Sequence, residues 1–172
     1  MGLRESYGRA HYIVQNLNPP QLRQLQEICR EVQATQKNLR RAASHMMVRC
    51  REHCEGLCCR NLHVDAVISY WDFVFIIASG NTPKEKMIEC LGKETPLFRS
   101  DCVFLYDGRG PCIFGADTRP EVCLTSFCED TRAIAREIRN LKWAFLKINR
   151  FVLRNRPLLI FRSIFNAKKS LL

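Results

Sequence analysis

Acidic side chains are almost missing from the last quarter of the chain: residues 131–172 hold one, Glu137, against eleven Lys and Arg. The first 130 residues carry sixteen charges of each sign, so the whole net charge of +10 belongs to that last segment. Long apolar runs are missing as well. No window reaches the roughly 18 consecutive apolar residues of a membrane-crossing helix. The densest stretch, Val67 to Ala78, is short and carries Asp72, so it reads as a buried helix. The N-terminal sequence MGLRESYGRAHYIVQNLN has neither an apolar stretch of signal-peptide length nor a small-residue cleavage site. That argues against export and predicts a cytoplasmic setting in which thiols stay reduced. Gly2 and Ser6 fit the loose myristoylation pattern M-G-x-x-x-S, a pattern common by chance, which leaves a membrane-peripheral location open.

Other absences narrow the chemistry. There is no G-x-x-x-x-G-K-[ST] loop, and Gly108-Arg109-Gly110 is predicted to join two strands with no helix start behind it, so a phosphate loop is excluded. No pair of carboxylates stands out for acid–base work. No repeat of solenoid length and no low-complexity tract occurs. The C-x2-C and H-x3-H steps of zinc fingers and the C-x2-C-x2-C run of bacterial ferredoxins are also missing.

Cysteine, by contrast, is plentiful. Eight of ten cysteines fall into two bursts. The first is C-x3-C-x3-C-C, made by Cys50, Cys54, Cys58 and Cys59; the second is C-x9-C-x10-C-x4-C, made by Cys102, Cys112, Cys123 and Cys128. Clustered thiols without an export signal point to coordinated metal rather than disulfides. Thiolate is a soft ligand that suits zinc, iron–sulfur clusters or cuprous copper. Zinc takes four ligands, and a cluster commonly takes four cysteines, so eight suit two four-ligand sites, or one site with spare thiols. Contiguous Cys58 and Cys59 point differently along the chain and suit different ions. His53 and His63 flank the first burst and are read as surface or supporting residues, since thiols suffice. A Cys–His nucleophile is disfavoured, because a metal-bound thiolate is a poor free nucleophile. Arg51, Arg60 and Arg119 are placed to offset thiolate charge.

The rest of the chain reads as mainly α, one domain over 1–172, with a small irregular or β cysteine-rich core between long N- and C-terminal helices packed together. Residues 1–17 read as a poorly tied segment. Asn18-Pro19-Pro20 opens an amphipathic helix, placed at 18–48, with Leu22, Leu25, Cys29, Val32 and Leu39 on its apolar face. Cys29 there is a small buried hydrophobe. The cysteine core spans 50–128. Within it, Ser69-x-x-Asp72 is a capping box starting a helix that stops at Gly80, and Thr82-Pro83-Lys84-Glu85 starts another that ends near Gly92 and carries Cys90, left outside the site. Val103 to Tyr106 and Cys112 to Phe114 read as a hairpin around Asp107–Gly110. Asp130 caps a last helix over 130–156, which Pro157 ends or kinks, leaving a basic and apolar tail at 157–172.

The cysteine order, with CREHCEGLCC at 50–59, CVFL at 102–105, GPCIF at 110–114, RPEVC at 119–123 and Cys128, resembles the YkgJ-type cysteine-cluster proteins. The resemblance covers about residues 50–128; Val103 stands where the family usually has proline, and the second gap of the first burst is longer than is common there. It implies a zinc- or iron-chelating domain with those eight cysteines as ligands. A similar cluster occurs in a flagellin lysine methylase, which admits an enzyme by analogy only. Two further readings stand beside metal handling. One is an iron–sulfur enzyme or electron carrier. The other is a zinc-stabilised module whose basic residues 131–172 touch nucleic acid or an anionic membrane, with Trp143, Phe145, Phe151 and Phe161 on the apolar side. For the helix alone, the default is that its apolar stripe packs on the N-terminal helix and its charge is solvated.

Overall fold

The structure, a computed structural model, describes residues 2–52, 64–80, 84–93, 102–106 and 112–169; the side chains of 50–52, 65 and 156–169 fall outside that description. The chain is mostly helical. In order come α1 (Leu3–Asn16), α2 (Pro19–Ala42), α3 (Ser44–Glu52), α4 (Val64–Val67), α5 (Tyr70–Ser79), α6 (Lys84–Gly92), α7 (Glu121–Thr125), a 3-10 turn (Arg132–Ile134) and α8 (Ala135–Lys169). Among the described residues none of these helices is long and apolar enough to cross a membrane.

Helix α5 is the hub. Its sequence YWDFVFIIAS is apolar on every side, and Phe73, Val74, Phe75 and Ile76 are all fully buried. A helix with no polar face needs neighbours all round, and α1, α2 and α8 supply them. Its start is a capping box: Ser69 Oγ accepts from Asp72 N, and Asp72 accepts from Ser69 N. Gly80 ends it at φ 69°, a left-handed conformation in which a Cβ would be strained.

Helices α2 and α8 pack antiparallel along their lengths: Gln21 Nε2 donates to Asn155 Oδ1 at 2.9 Å near one end, and Lys147 pairs with Glu31 farther along. Helix α2 starts as its sequence dictates. Asn18 Oδ1 accepts from Gln21 N, Gln21 Oε1 accepts from Asn18 N, and Pro19 and Pro20 occupy the first turn, where an N–H has no helical partner. Leu25, Cys29, Val32 and Leu39 line the buried stripe; from α8, Leu141, Phe145, Ile148 and Val152 meet the core, with the Phe145 ring 5.2 Å from that of Phe75.

Several expectations need correction. The last helix begins at Ala135, behind a 3-10 turn at Arg132–Ile134, and not at residue 130. Residues 3–16 are not a loose segment. They form α1, which lies on α5 through Leu3, Ser6 and Ala10, with the Tyr7 ring edge-on to Phe73 at 5.7 Å. The contact is built on small side chains that let two backbones approach, and Arg4, Glu5 and Arg9 dilute the apolar signal around them. The helix expected over 18–48 is broken: Ala43, fully buried, leaves helical geometry at φ −91° and ψ 14°, and α3 begins at Ser44. Pro157 does not end the last helix, which continues to Lys169. Proline forfeits one backbone hydrogen bond there, but its fixed φ is itself helical. Of the expected hairpin the described residues show one antiparallel bridge, Leu105 with Cys112, beside Ile113 N donating to Phe104 O at 2.9 Å; 107–111, with the turn, lie outside them. The Phe104 and Phe114 rings pack 4.8 Å apart on this segment.

The α1 contact is testable. Ala10→Leu should lower unfolding free energy by about 1–3 kcal/mol through overpacking against α5. Urea denaturation checks this, and an unchanged midpoint would mean the segment is not docked.

Candidate metal centre

The four described cysteines of the second burst stand on two short segments. Cys102 is buried and opens the turn that leads to the bridge, its carbonyl accepting from Leu105 N at 3.1 Å. Cys112 is half-buried and lies on the bridge itself. Cys123 is half-buried on α7, and Cys128 is exposed just beyond it. In the first burst, Cys50 stands on α3 with its side chain outside the described residues, and Cys54, Cys58 and Cys59 lie outside them altogether, as do His53 and His63. Among the described residues no three His, Cys, Asp or Glu side chains converge.

The scaffold that carries these segments is well defined, and it starts from two adjacent residues at the head of α5. Asp72 Oδ2 takes Ser69 N at 2.8 Å and Ser69 Oγ at 2.6 Å, while Oδ1 takes Glu121 N, the first residue of α7, at 2.7 Å. One buried carboxylate thus caps α5 and also fixes the start of the helix that bears Cys123. Its neighbour Phe73 meets the Phe104 ring, 6.3 Å away, in the segment between Cys102 and Cys112. Helix α2 holds the intervening loop. Gln36, fully buried, donates Nε2 to Arg119 O at 2.7 Å, and Arg40 one turn later pairs with Asp117. The Arg119-Pro120 step is therefore tied on both sides: its carbonyl to α2 and the following amide to α5.

A separate contact links the two bursts. Arg49, next to Cys50, pairs with Glu129, next to Cys128. The contact joins side chains that neighbour the first cysteine of one burst and the last cysteine of the other. Arg119 Nε is buried and has no hydrogen-bond partner among the described residues.

Protonation separates the thiols outside the bursts. Burial pushes the Cys29 thiol up to about 12, against the opposing pull of Ser79 and Arg30. Its Sγ lies 4.0 Å from Phe75 O in the core, as befits a small hydrophobe. Burial raises Cys90 too. In both, burial disfavours the thiolate form. Burial also lifts the Asp72 carboxyl above its ordinary range, against the pull of its Ser69 and Glu121 donors. Glu121 is raised first by burial and then by the Asp72 charge, with Lys142 acting the other way.

Reading the residues alone missed Gln36, Asp117 and Glu129, and saw only the local half of Asp72. Gln36 did leave a signal: it interrupts the apolar stripe between Val32 and Leu39, and a polar side chain there needs a buried partner.

Two outcomes follow for Asp72. Asp72→Ala, leaving the Ser69 and Glu121 amides without acceptors, should cost about 2–4 kcal/mol by denaturant unfolding. The raised carboxyl means the native state favours the proton. Its contribution is full below the unfolded value of about 3.9 and is lost as pH rises through the higher folded value. The stability difference between the parent and Asp72→Asn should therefore shift against the parent as pH rises above about 4, and a flat difference would contradict the assignment.

No family model matches the chain, and comparison with curated proteins and with solved structures likewise gives no match.

Proposed function

We propose that this is a metal-binding protein in which thiolates of Cys50, Cys54, Cys58, Cys59, Cys102, Cys112, Cys123 and Cys128 hold zinc or iron, in the manner of the YkgJ-type proteins that the cysteine order resembles. The observation that carries the reading is the Arg49–Glu129 side-chain pair, made by the sequence neighbours of Cys50 and Cys128. Two thiol bursts far apart in sequence need such a contact to share ions. The anchoring of Cys123 through Asp72, and of the Cys102–Cys112 segment through Phe73, supports it further. A ligand set is most useful when its carriers are fixed before the metal arrives, because less order is then lost on binding.

The donor chemistry fits the group. Thiolates favour zinc or iron over hard cations, and the surplus negative charge of a sulfur-rich centre calls for donors such as the buried Arg119 Nε. Binding deprotonates the thiols, so it should release protons and weaken as pH falls.

Elemental analysis of anaerobically prepared protein, with an absorption spectrum, should find zinc in colourless protein or iron with cluster bands in brown protein. Cys112→Ser and Cys123→Ser should each lower metal content and melting temperature together. Full metal content and unchanged melting in both variants would refute the ligand assignment.

A further inference from the structure

Helix α8 has two faces of opposite character. Leu141, Ala144, Phe145, Ile148, Phe151 and Val152 are buried against α2 and α5. This corrects the expectation that Phe145 and Phe151 share an exposed apolar side with Trp143. At about 100° per residue, the diametrically opposite line runs through Arg139, Trp143, Leu146, Arg150 and Leu153. All five are exposed, the apolar members included: Trp143 61%, Leu146 49% and Leu153 53%, three large apolar side chains on one line. Arg154 borders the line and is exposed too. Arg139, Arg150 and Arg154 make no ion pair among the described residues. The one acid of the segment, Glu137, is largely covered and already paired with Arg136. The helix backbone then continues to Lys169 through Leu158-Leu159-Ile160-Phe161, Ile164-Phe165 and four more cations, Arg156, Arg162, Lys168 and Lys169.

We infer that this outer face of α8 docks on an anionic lipid bilayer, lying in the headgroup plane with Trp143, Leu146 and Leu153 inserted and the arginines on lipid phosphates. Charge complementarity selects an anionic partner, since the line carries cations and no acid. Apolar content selects lipid over nucleic acid. Leu146 and Leu153 gain nothing from a phosphate backbone, whereas an interfacial helix combines Trp and Leu on one side with Lys and Arg beside them. A helix of this kind needs a docked opposite side to keep its shape, and α2 and α5 provide it. The inference is independent of the metal reading.

The test uses the full chain carrying Trp71→Phe, which leaves Trp143 as its one tryptophan. It is mixed with vesicles of phosphatidylcholine alone, or of an equal mixture with phosphatidylglycerol. The protein should sediment with the anionic vesicles and not the neutral ones, and Trp143 emission should shift to the blue. Trp143→Gln, Leu146→Gln and Leu153→Gln combined, read by sedimentation in the otherwise unaltered chain, should weaken vesicle binding about tenfold or more at unchanged melting temperature, because these side chains are exposed. Arg139→Gln, Arg150→Gln and Arg154→Gln combined should weaken it similarly and flatten its salt dependence. Vesicles of brominated lipid should quench Trp143 without any change on this face, which keeps the test valid if a triple variant misfolds. The inference fails if anionic vesicles are not bound, if binding survives loss of all three apolar side chains, if brominated lipid leaves Trp143 unquenched, or if duplex DNA or single-stranded RNA binds more tightly with unshifted emission.

Discussion

One carboxylate, Asp72, ties the core of this molecule to the segment that carries Cys123. It sits at the head of the most apolar helix, takes the Ser69 amide and hydroxyl that start that helix, and takes the Glu121 amide that starts the helix of Cys123. Removing charge from water is costly, and three donors converging on two oxygens offset that cost only while all stay in place. The interaction is therefore a constraint on position as much as a source of stability. With Phe73 beside it, packed on Phe104, the first turn of α5 sets the location of both segments that carry Cys102, Cys112 and Cys123.

Around that anchor the helices divide the work. Helix α2 contributes an apolar stripe to the core and, from the same face, the Gln36 amide that holds the Arg119 carbonyl. Helix α3 carries Cys50, and its Arg49 meets Glu129 beside Cys128. Helix α8 closes the bundle with one side and presents a cationic, partly apolar surface with the other. The irregular segments that bear thiols thus hang from a helical frame whose stability comes from ordinary burial. The frame has its own core before any ion is considered.

What could be read from residues alone was local. The starts of α2 and α5 are encoded locally: Asn18-Pro19-Pro20 opens α2 and the Ser69–Asp72 capping box opens α5, both as expected, while the Asn18–Gln21 partnership emerged only from the structure. The stripe of α2 and the burial of α5 followed from periodicity and from unbroken apolar sequence. Helix α1 was missed because its contact uses Ser6 and Ala10, whose small size matters and whose hydrophobicity does not. The second role of Asp72, the Gln36–Arg119 link and the Arg49–Glu129 pair join residues 49 to 83 positions apart. No spacing rule reaches that far. The cysteine bursts were legible as chemistry, because thiol clustering is written in the sequence. The pairing of particular thiols around particular ions depends on three-dimensional closure and was not legible.

The central claim is that sulfur atoms of both bursts form the coordination shell of a bound ion. X-ray absorption at the zinc or iron edge of the full chain, prepared without oxygen, tests it most directly. The account predicts a first shell dominated by sulfur at about 2.3 Å. A shell made only of oxygen and nitrogen, or protein that retains neither metal, would contradict it.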